Sequence, residues 1–225
     1  MVSDKNGPVF WGSILRNTSF GSDDSSLRKG DKKLKLAFVD CETTALKGGR
    51  IWECFCIVDG SSFSEQKHWF IDSFDLNMPS ANPSSLAMNH FYDRHPDFNG
   101  SEYDSSIGLV CENAFAVEFE LLTRGAVLIG CNPGFDENYI KEAMKRNNVL
   151  YSCHYRPLDV VTLGVGYLRG LGMQVPPLPW RSDDVATMCG VNLPETGERH
   201  TAEYDTLFAR NFWYTVMGEK EKGTT

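Results

Sequence analysis

Four carboxylates in this chain occupy positions where the surrounding pattern calls for an apolar side chain. They are Asp40 and Glu42 in VDCETT, Asp136 in NPGFDENYI and Asp205 in HTAEYD, with His200 at the head of the last segment. Burying bare carboxylates is costly unless a cation or strong hydrogen bonds offset the lost hydration. A fold that keeps all four on its packed faces therefore has to supply positive charge between them. Divalent metal is the simplest source, and a histidine beside such a group points to proton transfer.

The first segment, KLKLAFVDCETT, alternates, with Leu34, Leu36 and Phe38 on one face. Strand side chains repeat every two residues, so Asp40 and Glu42 continue that face. On its own this pair is an ordinary polar strand end. The second segment, GAVLIGCNPGFDENYIKEAMKRNN, begins with a short apolar run, Ala126 to Ile129, ended by Gly130 and Pro133. It reads as a buried strand and a turn. A helix follows over 135–146, and Tyr139, Ile140 and Ala143 lie three, four and seven residues after Asp136. That spacing places Asp136 on the core stripe, although the helix dipole alone also favours an acid in a first turn. In the third segment, Ala202, Ala209, Phe212 and Val216 mark one face of a terminal helix that includes Asp205. Thr201 is its expected N-cap, which sets His200 just ahead of the first turn, at the mouth of a site.

These residues resemble the motifs of the DEDDh exonucleases, the group that includes the DnaQ proofreading subunit, RNase T and oligoribonuclease. VDCETTAL is similar to the first motif, Asp-x-Glu-Thr-Thr-Gly-Leu, with Ala45 where that family usually has Gly. GCNPGFDENYI is similar to the second, and HTAEYD matches the third, His-x-Ala-x-x-Asp. AMNHFYDRHP, CHYRPLDVVTLGVGYL and the Pro-Trp segment before SDDVATMCGV look like DnaQ-type exonucleases of bacteria and their phages. The resemblance spans residues 34–216. It implies a ribonuclease-H-like fold and a 3′-5′ exonuclease releasing nucleoside 5′-monophosphates. It also implies a first Mg²⁺ or Mn²⁺ held by Asp40, Glu42 and Asp205. A second ion would be shared by Asp40 and supported by Asp136, roughly 3.5–4 Å away. Hard oxygen donors suit those two ions. His200 would be the general base, its ordinary pKa of about 6.5 matching neutral pH. Thr43, Thr44 and Leu46 would contact the 3′-terminal nucleotide. Ala cannot adopt positive φ cheaply, so Ala45 leaves the shape of that loop open.

Length and composition agree with an enzyme of this kind. The 225 residues suit one compact domain with a full core. The 41% hydrophobic and 23% charged fractions are those of ordinary globular proteins. No apolar run reaches ~18 residues, and the N-terminus lacks signal-peptide character, so the expectation is a cytoplasmic protein of a bacterium or of a phage-infected cell, without a membrane partner. Seven cysteines are scattered with no zinc-like spacing, which reads as reduced, buried thiols. A net charge of −8 is unusual for a nucleic-acid partner. Bound divalent ions would offset part of it. Lys47, Arg50, Arg156, Arg181 and Arg199 are the local basic candidates, for short contacts to a strand end.

The expected layout is a flexible extension over 1–33, an exonuclease domain over 34–218 and a disordered tail over 219–225. Strands are expected over 34–40, 51–58, 67–71, 126–129 and 158–161, with helices over 84–93, 112–124 and 135–146, another ending at Gly170, a short one capped by Ser182, and the last ending near Gly218. This gives an α/β mixed five-stranded sheet with helices on both faces. Glu53 reads as a structural hydrogen-bonding residue away from the metals. Phe91 reads as core, Trp180 as packed beside its prolines, and Tyr92 as a candidate for stacking on a base.

The partners implied are single-stranded DNA or RNA 3′ ends. A polymerase or another replication or repair protein, and a second copy of the chain, stay open. Two further functions are weighed: an oligoribonuclease- or RNase T-like RNA-trimming enzyme, and a non-catalytic nucleic-acid-binding module. The module would be expected to have lost one of the five residues, and all five are present.

Overall fold

The computed structural model describes residues 34–100, 108–192 and 199–218. The expected extension over 1–33 and the tail over 219–225 lie outside the described residues. Three antiparallel strands come first: β1 (Leu36–Thr43), β2 (Ile51–Asp59) and β3 (Ser64–Ile71). The β1–β2 loop turns through Gly48, whose φ of 72° is left-handed. Two short helices, α1 (Pro83–Met88) and α2 (Phe91–Arg94), precede β4 (Leu109–Val110). Then α3 (Glu112–Thr123), β5 (Val127–Gly130), α4 (Pro133–Arg146), β6 (Leu158–Asp159), α5 (Val160–Gly170), α6 (Ser182–Cys189) and α7 (Ala202–Met217) complete the domain.

The strand order is β4-β3-β2-β1-β5-β6, with β4, β5 and β6 parallel to their neighbours. The sheet is mixed and flanked by helices on both faces, as the sequence indicates, but it has six strands rather than five. The strand missed is β4, whose two residues are too few for a period-two pattern to appear. β1 and β3 also extend beyond their expected ends. The helix expected over 84–93 is two helices, because His90 adopts left-handed φ (53°) and breaks it. Ser182 opens α6, and its N-cap is Arg181.

All nine residues of β2 are buried, because helices cover both of its sides. One side packs Ala37, Val39, Cys54 and Cys56 against Phe115 and Phe119 of α3 and Ile140 and Ala143 of α4. The other packs Phe38, Phe55 and Ile57 against α5, α6 and the Phe208–Phe212 stripe of α7. At 25 cal/mol per Å² or so of apolar area, these layers are the main source of stability. All seven cysteines are free, but only Cys41, Cys54 and Cys56 are buried; Cys131, Cys153 and Cys189 are half-buried and Cys111 is exposed. Among the described residues, no helix is long and apolar enough to cross a membrane.

A buried polar group fixes the rotation of α7. Asp59, at the end of β2, is wholly buried; it accepts from Arg210 Nε at 3.0 Å and Tyr214 OH at 2.6 Å. Arg210 is also buried, so loss of Asp59 strands a cation in the core. Asp59→Ala is expected to cost about 3–5 kcal/mol in urea unfolding. Tyr214→Phe should cost only about 1–2 kcal/mol.

Candidate active site

The site grows from the C-terminal half of β1. Asp40 and Glu42 share the face of Phe38, which is buried under α7. A register irregularity follows Glu42 and ends the regular ladder. Helix α7 starts at Thr201, whose side chain accepts from Tyr204 N at 3.2 Å as the expected N-cap. Its first turn lays Asp205 over β1. Carboxylate oxygens of Asp40, Glu42 and Asp205 all lie within 4.8 Å of one another.

Asp136 comes from the other side of the sheet. It sits in the first turn of α4, which starts at Pro133 with Asn132 in left-handed φ (58°). It is 3% exposed, and its Oδ1 accepts from Cys41 N at 3.0 Å across the end of β1. Asp136 stands outside the group of three, yet close enough to Asp40 to perturb it.

The electrostatics report crowded negative charge. Burial, then the charges of Asp136, Asp205 and Glu42, push the Asp40 carboxyl far up. Burial and the neighbouring Glu53 push Glu42 up to about 8. Burial raises Asp136 to about 8 against the hydrogen bond from Cys41. Asp205 is raised by burial and held back by Arg199 and His200. Without a counter-charge, four carboxylates could not all ionise here at neutral pH. Hard oxygen donors from three elements, short of positive charge, fit a divalent cation.

His200 is exposed and adopts left-handed φ (65°). Its backbone N–H donates to the Asp205 carboxylate. Its carbonyl accepts from Arg94 Nη1 at 3.2 Å. Beside it opens a 390 Å³ pocket lined by Glu42, Thr43, Leu46, Lys47, Asn89 and His200, among others. Of the three residues expected to meet a terminal nucleotide, Thr43 and Leu46 line this pocket. Thr44 does not: it is wholly buried, and its Oγ1 accepts from Arg50 N at 2.9 Å to close the loop. Ala45 is outside the left-handed region, so no glycine is needed there. Its carbonyl accepts from Tyr139 OH at 2.6 Å.

The reading of Glu53 as remote from the acidic group is corrected. It pairs directly across from Glu42 in the β1–β2 ladder. A hairpin folding about Lys47 and Gly48 brings position 53 opposite position 42, so the turn residues carried this signal. Glu53 is wholly buried between His68 Nε2, at 2.9 Å, and Arg94 Nη2. Asn89 and Arg94 were also missed as site residues; nothing in AMNHFYDRHP shows where its side chains point. Of the five basic candidates, Arg50 is held by Glu112 at 3.2 Å, Arg199 pairs with Asp183, Arg156 lies 5.1 Å over the Tyr155 ring, Arg181 is the exposed N-cap of α6, and Lys47 lines the pocket. Phe91 is core, Trp180 donates to Pro176 O at 3.1 Å, and Tyr92 is exposed against Phe91 and Phe98.

No family model and no curated protein match the sequence. Solved structures do match the fold. E. coli exonuclease I in complex with a 5cy-dT13 oligonucleotide is similar over 82% of this chain and 40% of its own, at 16% identity and a TM-score of 0.55. The zinc-ion-bound E. coli exonuclease I–single-stranded DNA complex is similar over 82% and 39%, at 16% identity and a TM-score of 0.54. Exonuclease I from Methylocaldum szegediense is similar over 84% and 41%, at 16% identity and a TM-score of 0.57. The chain thus spans about two-fifths of the length of these proteins. At such identity the likeness carries the fold: a ribonuclease-H-like α/β domain.

The raised carboxyls set a pH dependence. Glu42 and Asp136 each titrate at about 8 in the fold, against 4.5 and 3.8 in the unfolded chain. Between those values the folded state holds protons that the unfolded state has released, so metal-free stability falls as pH rises. Asp136→Asn keeps the Oδ1 acceptor and removes one charge. In EDTA, urea unfolding should show the variant equal to wild type near pH 4 and more stable by about 1–4 kcal/mol above pH 8. A constant difference across that range would contradict the assignment.

Proposed function

We propose that this chain is a divalent-metal-dependent 3′-5′ exonuclease acting on single-stranded nucleic-acid 3′ ends and releasing nucleoside 5′-monophosphates. The observation that carries this reading is the meeting of Asp40, Glu42 and Asp205 within 4.8 Å, beside a nucleotide-sized pocket whose wall includes His200. The oligonucleotide-bound state of the exonuclease I neighbours supports a single-stranded substrate, and the zinc-bound form supports a metal.

Asp40, Glu42 and Asp205 would hold one cation, and Asp40 with Asp136 a second. Bound there, such ions neutralise phosphate charge and stabilise the attacking and leaving oxygens of an in-line displacement. Asp136 is fixed by Cys41 N and Asp205 by the N-terminus of α7, so these oxygens need little reorganisation. His200 would take the proton of the attacking water at a ring nitrogen. Thr43 and the exposed Leu46 would meet the terminal sugar and base, and Lys47 would face a phosphate at the rim. Thr44 would act through the shape of the loop.

The test is digestion of 5′-labelled single strands of DNA and RNA with Mg²⁺, Mn²⁺ or EDTA. A metal-dependent ladder shortening from the 3′ end is expected, and Glu42→Ala and Asp136→Ala should reduce it to background. His200→Ala should keep manganese binding and lose about 10²–10⁴-fold in turnover. Shortening from the 5′ end, or activity that persists in EDTA, would overturn the reading.

A further inference from the structure

We infer that Arg94 is a positioning residue that holds His200 in register with the carboxylates, with buried Glu53 as its anchor; the inference rests on the nuclease reading above. Arg94 closes α2, and its guanidinium lies 5.1 Å over the Trp52 ring. Three elements meet on it. Nη2 donates to Glu53 on β2, and Nη1 donates to Asn89 O at 3.0 Å and to His200 O at 3.2 Å. Two of these three acceptors belong to residues of the 390 Å³ pocket. Asn89 in turn donates from Nδ2 to Thr43 O at 3.2 Å, so the contact passes to a third pocket residue.

His200 needs such a hold. A non-glycine residue in the left-handed region is strained and persists only where its surroundings fix it. Its two peptide groups are held from opposite sides, the N–H by Asp205 and the carbonyl by Arg94. The Asp205 contact fixes the amide side and the Arg94 contact the carbonyl side, and the imidazole direction follows the backbone between them. Glu53 explains why the latch tolerates burial: the guanidinium meets one oxygen of a buried carboxylate whose other oxygen faces His68 Nε2. Lysine has no planar fork with which to span the same acceptors.

The experiment combines Arg94→Gln, Arg94→Lys, His200→Ala and the double variant Arg94→Gln/His200→Ala in the full chain. Single-turnover cleavage of labelled single strands, KM, manganese affinity by calorimetry and thermal unfolding are read for each. Arg94→Gln should lose about ten- to a hundredfold in turnover, the worth of a charge-assisted hydrogen bond, with KM and manganese affinity within about twofold. Arg94→Lys should recover only part of the loss, and added methylguanidinium should raise turnover of Arg94→Gln. In the His200→Ala background, Arg94→Gln should cost less than about twofold further. An undiminished loss in that background, or a matching fall in manganese affinity, would overturn the inference. If Arg94→Gln unfolds, Glu53→Gln, which keeps the shape of the acceptor, takes its place in the same cycle. A wild type without nuclease activity would sink the functional reading alone. The latch is then read from hydrogen exchange at the His200 amide, which should speed up in Arg94→Gln; an unchanged rate would overturn it.

Discussion

The burial of Asp40, Glu42, Asp136 and Asp205 close to one another is the constraint around which this domain is arranged. Each acid is delivered by an element with strong reasons of its own to be where it is. β1 is locked between β2 and β5, α4 is seated by its apolar stripe, and α7 is pinned by Asp59. None can retreat to relieve the crowding without breaking a core layer. Burial first, and neighbouring negative charge after it, raises the carboxyls of Asp40, Glu42 and Asp136. A fold that buries carboxyls together in this way is prepared to gain free energy from a cation rather than from its own relaxation.

The pairing of Glu42 with Glu53 sharpens the point. Like charges directly opposite in a ladder are unfavourable, and here one of the two is also wholly buried. The fold deals with them differently. Glu53 is neutralised within the protein by Arg94 and faces His68, so it has no oxygens to spare for a metal. Glu42 keeps its place beside Asp40 and Asp205. Two glutamates a few ångströms apart thus divide into a structural anion and a ligand candidate, and the division is set by which one the guanidinium reaches.

Legibility in the sequence followed the range of the interactions. Asp40, Glu42, Asp136 and Asp205 were found because a two-residue or a 3.6-residue period shows which face a side chain takes. Thr201 was legible as an N-cap because capping is local. The two residues of β4 carry no period, and the break at His90 depends on a backbone angle that its neighbours do not announce. Thr44 looked like its neighbours Thr43 and Leu46, but the loop turns its hydroxyl inward onto Arg50. Arg94 is the extreme case: its three partners lie at positions 53, 89 and 200, and only the fold collects them.

The acidity of the chain then takes on a physical meaning. A net charge of −8 repels a polyanion at a distance. Among the described residues, several cations are held by acids: Arg50 and Arg146 by Glu112, Arg199 by Asp183, Arg210 by Asp59. What remains near the pocket is Lys47, together with the vacancy in charge that divalent ions would fill. On the proposed reading, attraction for phosphate would come mainly from ions held by these carboxylates. On the proposed reading, a net negative charge would disfavour a long duplex more than a single terminal nucleotide entering the 390 Å³ pocket. The charge that looks wrong for a nucleic-acid enzyme is consistent with one that grips an end.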